Sequence, residues 1–249
     1  MATTNVLITG ANRGLGRGLV EAYLAKPHHI VIAATRDPGN DTSKALAEIA
    51  TKGEGSRLIV VKIDVVVESD AATAVEQLTA REGIQHLDIV IANAGVAYKW
   101  PSVAEVKAED VLAHFKPNVI GIIYLYQATR QLLLKAADPK WVTIGSSAGM
   151  IEYRGQAPIP NAAYGPTKAA AHWITKRINA EEETFVAFVI HPGWAQTDMG
   201  NLGASLVGIE QAPVTIKESV SGMVSIIDKA NKQETAGKLW EYTGEQLTW

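Results

Sequence analysis

The chain has no cysteine. That single absence removes disulfides, thiolate nucleophiles and Cys-ligated metals together. Histidine is present six times, at His28, His29, His86, His114, His172 and His191, but never in the His-Glu-x-x-His spacing of a helical zinc site, so no metal is expected. There is no block of one charge and no basic run, and the net charge is only -3, so composition calls for neither nucleic acid nor an anionic membrane surface as partner. No apolar stretch approaches the roughly 18 residues of a membrane span. Met1 to Thr4 leads into the first apolar run without a charged leader or an apolar h-region, and a soluble cytoplasmic protein acting on a small molecule is the expectation. Linkers rich in Pro, Gly or Ser, internal repeats and low-complexity segments are also missing. One domain over residues 1–249 is therefore expected, and 47% apolar content supplies a sizeable core.

What is present begins with Asn5 to Gly18, NVLITGANRGLGRG. An apolar strand (Val6, Leu7, Ile8) meets a glycine turn (Gly10, Gly14, Gly16), and a helix follows to about Ala25, closed by Pro27. Free N–H groups and the positive end of the dipole at such a helix start can hold a pyrophosphate, and glycine permits the close approach. A glycine-rich turn that only packs tightly reads the same. The pattern then alternates. Strands are predicted at 30–34, 57–63, 87–91, 141–144, 185–190 and 238–242, and helices at 44–51, 70–81, 109–135, 164–180 and 219–230. Seven strands interleaved with helices imply right-handed crossovers and an α/β, doubly wound, Rossmann-type parallel sheet covered on both faces. Ligands bind beyond the carboxyl ends of such strands.

Those carboxyl ends carry the unusual residues. After the second strand come Thr35, Arg36 and Asp37. An acid about 20 residues past the glycine turn takes a ribose 2′-hydroxyl, whereas a basic residue accommodates a 2′-phosphate. Arg36, with Arg13 inside the turn, favours NADP. Asp37 is the residue that would turn the preference toward NAD if the strand ran further. Asp64 ends the third strand and Asn93-Ala94-Gly95 the fourth, where glycine again permits a close backbone approach or forms an ordinary turn. Pro117 lies inside the long helical region, removing a ladder bond and crowding the Ala113 carbonyl, so a kink is predicted there. Asn118 sits at the break, as a polar residue satisfying the broken ladder or as part of a site.

Tyr164-Gly-Pro-Thr-Lys168 sets a phenol and an ammonium on one helix face. A nearby cation favours phenolate and brings a tyrosine toward working range, so the pair could exchange a proton with an alcohol or ketone. In a chain with seven tyrosines such spacing also arises by chance. Its place at the start of the helix after the fifth strand, whose end carries Ser146 and Ser147, raises its weight.

Thr9-Gly10-x-x-x-Gly14-x-Gly16, Asp64, Asn93-Ala94-Gly95, Asn118, Ser146, Tyr164-x-x-x-Lys168 and Pro192-Gly193-x-x-x-Thr197 occur in the order and spacing of the short-chain dehydrogenase/reductase family, which nearly the whole chain resembles. Ala163-Tyr164-Gly165, His191-Pro192-Gly193, Gln196 to Gly200 and Trp249 look similar to its fungal norsolorinic acid ketoreductase-like subgroup. The resemblance implies an NADP(H)-dependent ketoreductase. By position, Tyr164 would be the general acid/base, and Ser146 would bond the substrate carbonyl. Lys168 would hold the nicotinamide ribose and lower the Tyr164 pKa, and Asn118 would anchor a relay water. Gly10, Asn12, Arg13, Gly14, Leu15, Gly16, Arg36, Asp64, Val65, Asn93, Ala94, Gly95, Tyr164, Lys168, Pro192, Gly193 and Thr197 would form the cofactor site, with Asp64 at the adenine, Asn93 on the adenosine side and Thr197 at the nicotinamide amide. Pro166 leaves Tyr164 in or just before the first helical turn.

Two rivals stand beside this reading. Gly145-x-Ser147-x-Gly149 matches a hydrolase nucleophile elbow, but 150–160 is loop-like and no histidine follows Asp198 to complete the order Ser, Asp, His. A non-catalytic NADP-binding redox sensor could use the same fold. The substrate walls are expected from Tyr98, Trp100, the segment 150–160 with Tyr153, Trp194, Met199, Leu202 and Leu206, which suit a bulky aromatic or polyketide-type ketone. The apolar helix from Val119 to Leu134 reads equally as core or as a surface pairing with a second subunit; the resemblance implies a homodimer or homotetramer.

Overall fold

The computed structural model describes residues 3–50, 52–152 and 159–249. Its elements in order are β1 (Thr4–Thr9), α1 (Gly14–Leu24), β2 (His29–Thr35), α2 (Asp41–Lys44), β3 (Arg57–Lys62), α3 (Glu68–Arg81) and β4 (Ile89–Ala92). There follow α4 (Ala108–Phe115), a π-helical turn (Lys116–Ile120), α5 (Gly121–Leu133), β5 (Lys140–Ile144), a 3-10 turn (Ser147–Gly149) and α6 (Gly165–Glu181). The chain closes with β6 (Val186–His191), α7 (Asp198–Leu206), α8 (Ile216–Lys229), β7 (Leu239–Glu241) and β8 (Gln246–Leu247).

The strands form one sheet in the order β3-β2-β1-β4-β5-β6-β7-β8. All pairs are parallel except β7 with β8. Alternate side chains of each strand feed two cores. Val6 and Ile8 of β1, with Val142 and Ile144 of β5, join Leu19 and Tyr23 of α1 and Met223 and Ile227 of α8. Leu7 and Trp141 point the other way, to Leu78 of α3, Leu125 and Leu132 of α5 and Ile178 of α6. A sheet buried on both faces needs the continuous apolar runs the sequence carries. The order reverses between β1 and β4, and the crevice at that switch point is where the glycine turn emerges.

The structure corrects the sequence reading in four places. The helix predicted at 44–51 is confined to Asp41–Lys44, because Asn40 caps it early by accepting from the Ser43 N–H at 2.8 Å; Thr51 lies outside the described residues. The kink at Pro117 takes the form of a π turn between two α-helices, which absorbs the missing N–H in a wider ring. α7 was not anticipated, although Thr197 caps it and Asp198 opens its first turn, the usual start signals. An eighth strand, two residues long and antiparallel, follows the seven expected. α5 buries Ile122, Leu125, Leu132 and Leu133, which agrees with its reading as a core helix. Among the described residues no helix is long and apolar enough to cross a membrane.

Candidate active site

The glycine turn has the shape a phosphate cradle requires. Gly10 and Gly14 take φ of 62° and 54°, a region closed to most side chains. A Cβ on Gly16 would run into the Gly10 carbonyl. Arg13 precedes α1 without giving it a side-chain cap, so the first N–H groups of that helix stay open to an anion, as NADP(H) would need. Leu15 packs on the core beneath, while Asn12 donates to Thr42 Oγ1 at 2.6 Å. Asn93, expected on the adenosine side, has its amide donors engaged with the glycine turn. Its amide donates to the carbonyls of Thr9 (2.8 Å) and Gly10 (3.3 Å), and Thr9 Oγ1 in return accepts from the N–H groups of Asn93 (3.1 Å) and Ala94 (3.0 Å). Asn93 and Ala94 therefore stitch β4 to the glycine turn.

At the far end of β2, Thr35 is buried and Arg36 is exposed. The Asp37 carboxylate accepts from the Gly39 N–H at 2.8 Å and so closes its own turn, which leaves Arg36 as the forward charge. Arg13 lies in an exposed ion pair with Asp198 at 3.3 Å, across the mouth of the crevice. Asp64 caps the start of the next segment by accepting from the Val66 N–H at 3.2 Å, and Val65 fills the space a side chain on Gly121 would need.

On the other flank, Ser219 Oγ donates to the Pro192 carbonyl at 2.6 Å, and after Gly193 the chain turns so that Thr197 hangs over the glycine turn. A Cβ on Gly14 would lie 3.2 Å from Thr197 Cγ2. Thr197 Oγ1 accepts from the Gly200 N–H at 3.1 Å.

The reacting groups converge between these flanks. Tyr164 is the residue that caps α6, as Pro166 predicts, and Lys168 follows one turn later. The Lys168 ammonium stands 5.7 Å from the phenol ring centroid and donates to the Ile144 carbonyl at 2.8 Å. Burial pushes the Tyr164 phenol up to about 12, and its hydrogen bond with Ser146 pulls the other way. Burial lowers the Lys168 ammonium itself to about 8, and its hydrogen bond goes to the Ile144 carbonyl. A neutral phenol is nonetheless the form a proton donor needs.

Asn118 is buried in the π turn with its side chain fully engaged. Its Oδ1 accepts from the Val96 N–H at 2.8 Å, and its Nδ2 donates to the Val96 carbonyl (2.9 Å) and Thr167 Oγ1 (3.0 Å). It ties the loop after β4 to α6. Gly95 lies where a Cβ would stand 3.3 Å from Asn118 Oδ1 and 3.7 Å from Lys168 Nζ.

Three side chains were missed or undervalued in the sequence. His172 Nε2 accepts from the Ser146 N–H at 3.2 Å; its place one turn past Lys168 was the available signal. His114 donates from Nδ1 to the Asp110 carbonyl (2.6 Å) and accepts the Tyr98 N–H on Nε2 (2.8 Å), pinning the loop that carries Trp100. Trp100 itself lies parallel to Tyr164, at 6.4 Å between ring centroids and 5° between planes. Of the other expected walls, Tyr98, Met199, Leu202 and Leu206 are exposed, and Trp194 Nε1 donates to the Gly200 carbonyl at 2.8 Å. Tyr153 falls outside the described residues. Ser147 opens a 3-10 turn and not the helix an elbow demands, and the histidine nearest the strand end bonds the backbone of Ser146.

A glycine cradle at the switch point, with a tyrosine, lysine and serine at the same sheet edge, defines a dinucleotide-dependent oxidoreductase fold. The chain belongs to the short chain dehydrogenase family, whose pattern matches residues 4–204. It is 42% identical to a norsolorinic acid ketoreductase of Dothistroma septosporum, over 99% of this chain and 92% of that one. The norsolorinic acid ketoreductase of Aspergillus parasiticus is 39% identical, over 99% of this chain and 91% of its own length. Among solved structures, the NADPH-bound carbonyl reductase from chicken fatty liver superposes with a TM-score of 0.86 at 27% identity, covering all of both chains. A carbonyl reductase from Pseudomonas aeruginosa in complex with NADP gives 0.77 at 28%, again over all of both chains.

Proposed function

We propose that this chain is an NADPH-dependent ketoreductase that converts a bulky, aromatic or polyketide-type ketone to a secondary alcohol. The observation that carries the reading is the half-buried Tyr164 phenol, held neutral, in hydrogen bond with Ser146 and one helical turn from the Lys168 ammonium. NADPH, when bound, supplies the hydride that forms the new C–H bond at the carbonyl carbon. As the C=O electron pair moves to oxygen, Ser146 steadies the developing charge and Tyr164 gives up its proton to it. Lys168 keeps a positive charge beside the phenolate that results, and solvent returns the proton. The open N-terminus of α1 and Gly10, Gly14 and Gly16 hold the pyrophosphate. Arg36 and Arg13 would meet the 2′-phosphate, which requires Arg13 to exchange its exposed pair with Asp198.

The relatives named for norsolorinic acid and the apolar surroundings support an aromatic substrate. Trp100 beside Tyr164, with Met199, Leu202 and Leu206 on α7, offers flat and apolar surface and few charges. Assembly as a homodimer or homotetramer, which rests on the family resemblance, and a cytoplasmic location belong to the same proposal. The test follows NADPH absorbance against a panel of aromatic ketones. Tyr164→Phe keeps the ring and removes the transferable proton, so turnover is expected to fall about 10²-fold or more with NADPH affinity unchanged. Near-normal turnover in that variant would reassign the proton donor. NADPH binding without turnover on any ketone would favour the non-catalytic sensor.

A further inference from the structure

α6 grips the end of β5 at two points one helical turn apart. Lys168 Nζ donates to the Ile144 carbonyl at 2.8 Å, and His172 Nε2 accepts the Ser146 N–H at 3.2 Å. The spacing puts both side chains on one face of the helix. Ser146 is therefore fixed from its main-chain side by a histidine while its hydroxyl meets Tyr164. We propose that His172 is a positioning residue of the reduction, setting the backbone of Ser146 so that its hydroxyl stays aimed at Tyr164 and the substrate oxygen. The inference rests on the reading of Tyr164 and Ser146 as the reacting pair.

Three observations carry it. The first is the ring's protonation: only the tautomer with a bare Nε2 makes the bond, so the proton sits on Nδ1, which is buried and has no hydrogen-bond partner among the described residues. An apolar side chain would fill the same space without stranding a polar atom there. Burial first, then the charges of Lys168 and His191, hold the ring neutral down to about 3, so Nε2 remains an acceptor throughout the working range. The second is the fit at the strand end, where a Cβ on Gly145 would lie 2.6 Å from Nε2 and would also strike Val189. Glycine there leaves the ring room to reach the Ser146 amide. The third is the backing of the ring. Trp249 lies against it at 6.0 Å between centroids, and the Trp249 carbonyl accepts the Glu152 N–H at 3.1 Å, so one residue braces the histidine and ties down the segment after the serine.

The experiment compares His172→Phe and His172→Leu, which keep bulk and remove the acceptor, with His172→Gln, whose carbonyl can take over the bond, and places each in wild-type and Ser146→Ala backgrounds. For the Phe and Leu variants kcat with an aromatic ketone is expected to fall about tenfold or more, with NADPH affinity by fluorescence within twofold of wild type. His172→Gln should recover kcat to within about threefold. In the Ser146→Ala background the same changes should have no further effect, because His172 acts only through Ser146. Losses that multiply in the double variants, or Gln behaving like Leu, would overturn the proposal. If neither Phe nor Leu folds, Gln decides alone: kcat within threefold supports the role, and a larger loss at unchanged NADPH affinity refutes it. Failure of the ketoreductase reading is distinguishable, since then Tyr164→Phe and Ser146→Ala would themselves keep turnover.

Discussion

Replacing Lys168 with methionine is expected to stabilise the fold while removing turnover. Lys168 is 7% exposed, and burial lowers its pKa from 10.5 to about 8. That displacement of about 2.5 units corresponds to about 3 kcal/mol against the folded state at neutral pH, at 1.36 kcal/mol per unit. Methionine has a similar length and no charge to bury. It also leaves the Ile144 carbonyl without its donor, which costs about 1–2 kcal/mol, so a net gain of about 1–2 kcal/mol remains. In a chain of this size that raises Tm by about 2–8 °C. Because the native pKa lies below that of the unfolded chain, the wild-type penalty is complete below pH 8. It shrinks as the native lysine releases its proton and is gone above about 10.5. Urea unfolding of both proteins at pH 7 and pH 10.5 reads this directly, since every other group is common to the pair. A variant that is no more stable at pH 7, or a difference that does not move between the two pH values, would refute the reasoning.

Arg36→Asp should raise KM for NADPH at least about tenfold while sparing NADH, because a 2′-phosphate loses a charge-assisted partner and meets a like charge; equal losses for both cofactors would remove Arg36 from the phosphate site. Ser146→Ala should lower ketone reduction by about 10²- to 10³-fold, and Ser147→Ala should stay within about threefold, since only Ser146 is bonded to Tyr164. The opposite result would place the substrate oxygen on the wrong serine, and esterase activity lost in Ser147→Ala alone would restore the hydrolase.

Much of this fold is legible because parallel strands buried on both faces must be apolar throughout. Val6-Leu7-Ile8, Ile30 to Ala34 and Phe185 to Ile190 can be little else once glycine turns and helical periods separate them. The reacting pair was legible for a similar reason: Tyr164 and Lys168 are one turn apart, and a helix brings them together wherever it lies. What escaped depends on contacts across the chain. Asn93 reaches Thr9 across 84 positions, and His172 reaches Ser146 across 26. No local pattern encodes either bond. β8 is too short to carry a period, and α7 was hidden because its two glycines, Gly200 and Gly203, dilute the helical signal.

The same contacts show what the two asparagines do within the fold. Asn93 was read as a cofactor contact at the sheet edge, and Asn118, at the Pro117 break, as either a polar residue satisfying the broken ladder or part of a site; the amide hydrogens of both are engaged with the protein. An amide whose donors are already taken cannot donate to a ligand without breaking the scaffold, so the side-chain donors of both residues shape the crevice. Arg36 has no such engagement among the described residues and faces outward at the end of β2. Tyr164 keeps a transferable proton, and Ser146 has its backbone N–H held by His172 while its hydroxyl meets Tyr164 and also accepts the Ala148 N–H at 3.2 Å. At this sheet edge Lys168 and Ser146 serve twice, holding the strand end through the Ile144 carbonyl and the Ala148 N–H while presenting the groups proposed to act on substrate and cofactor.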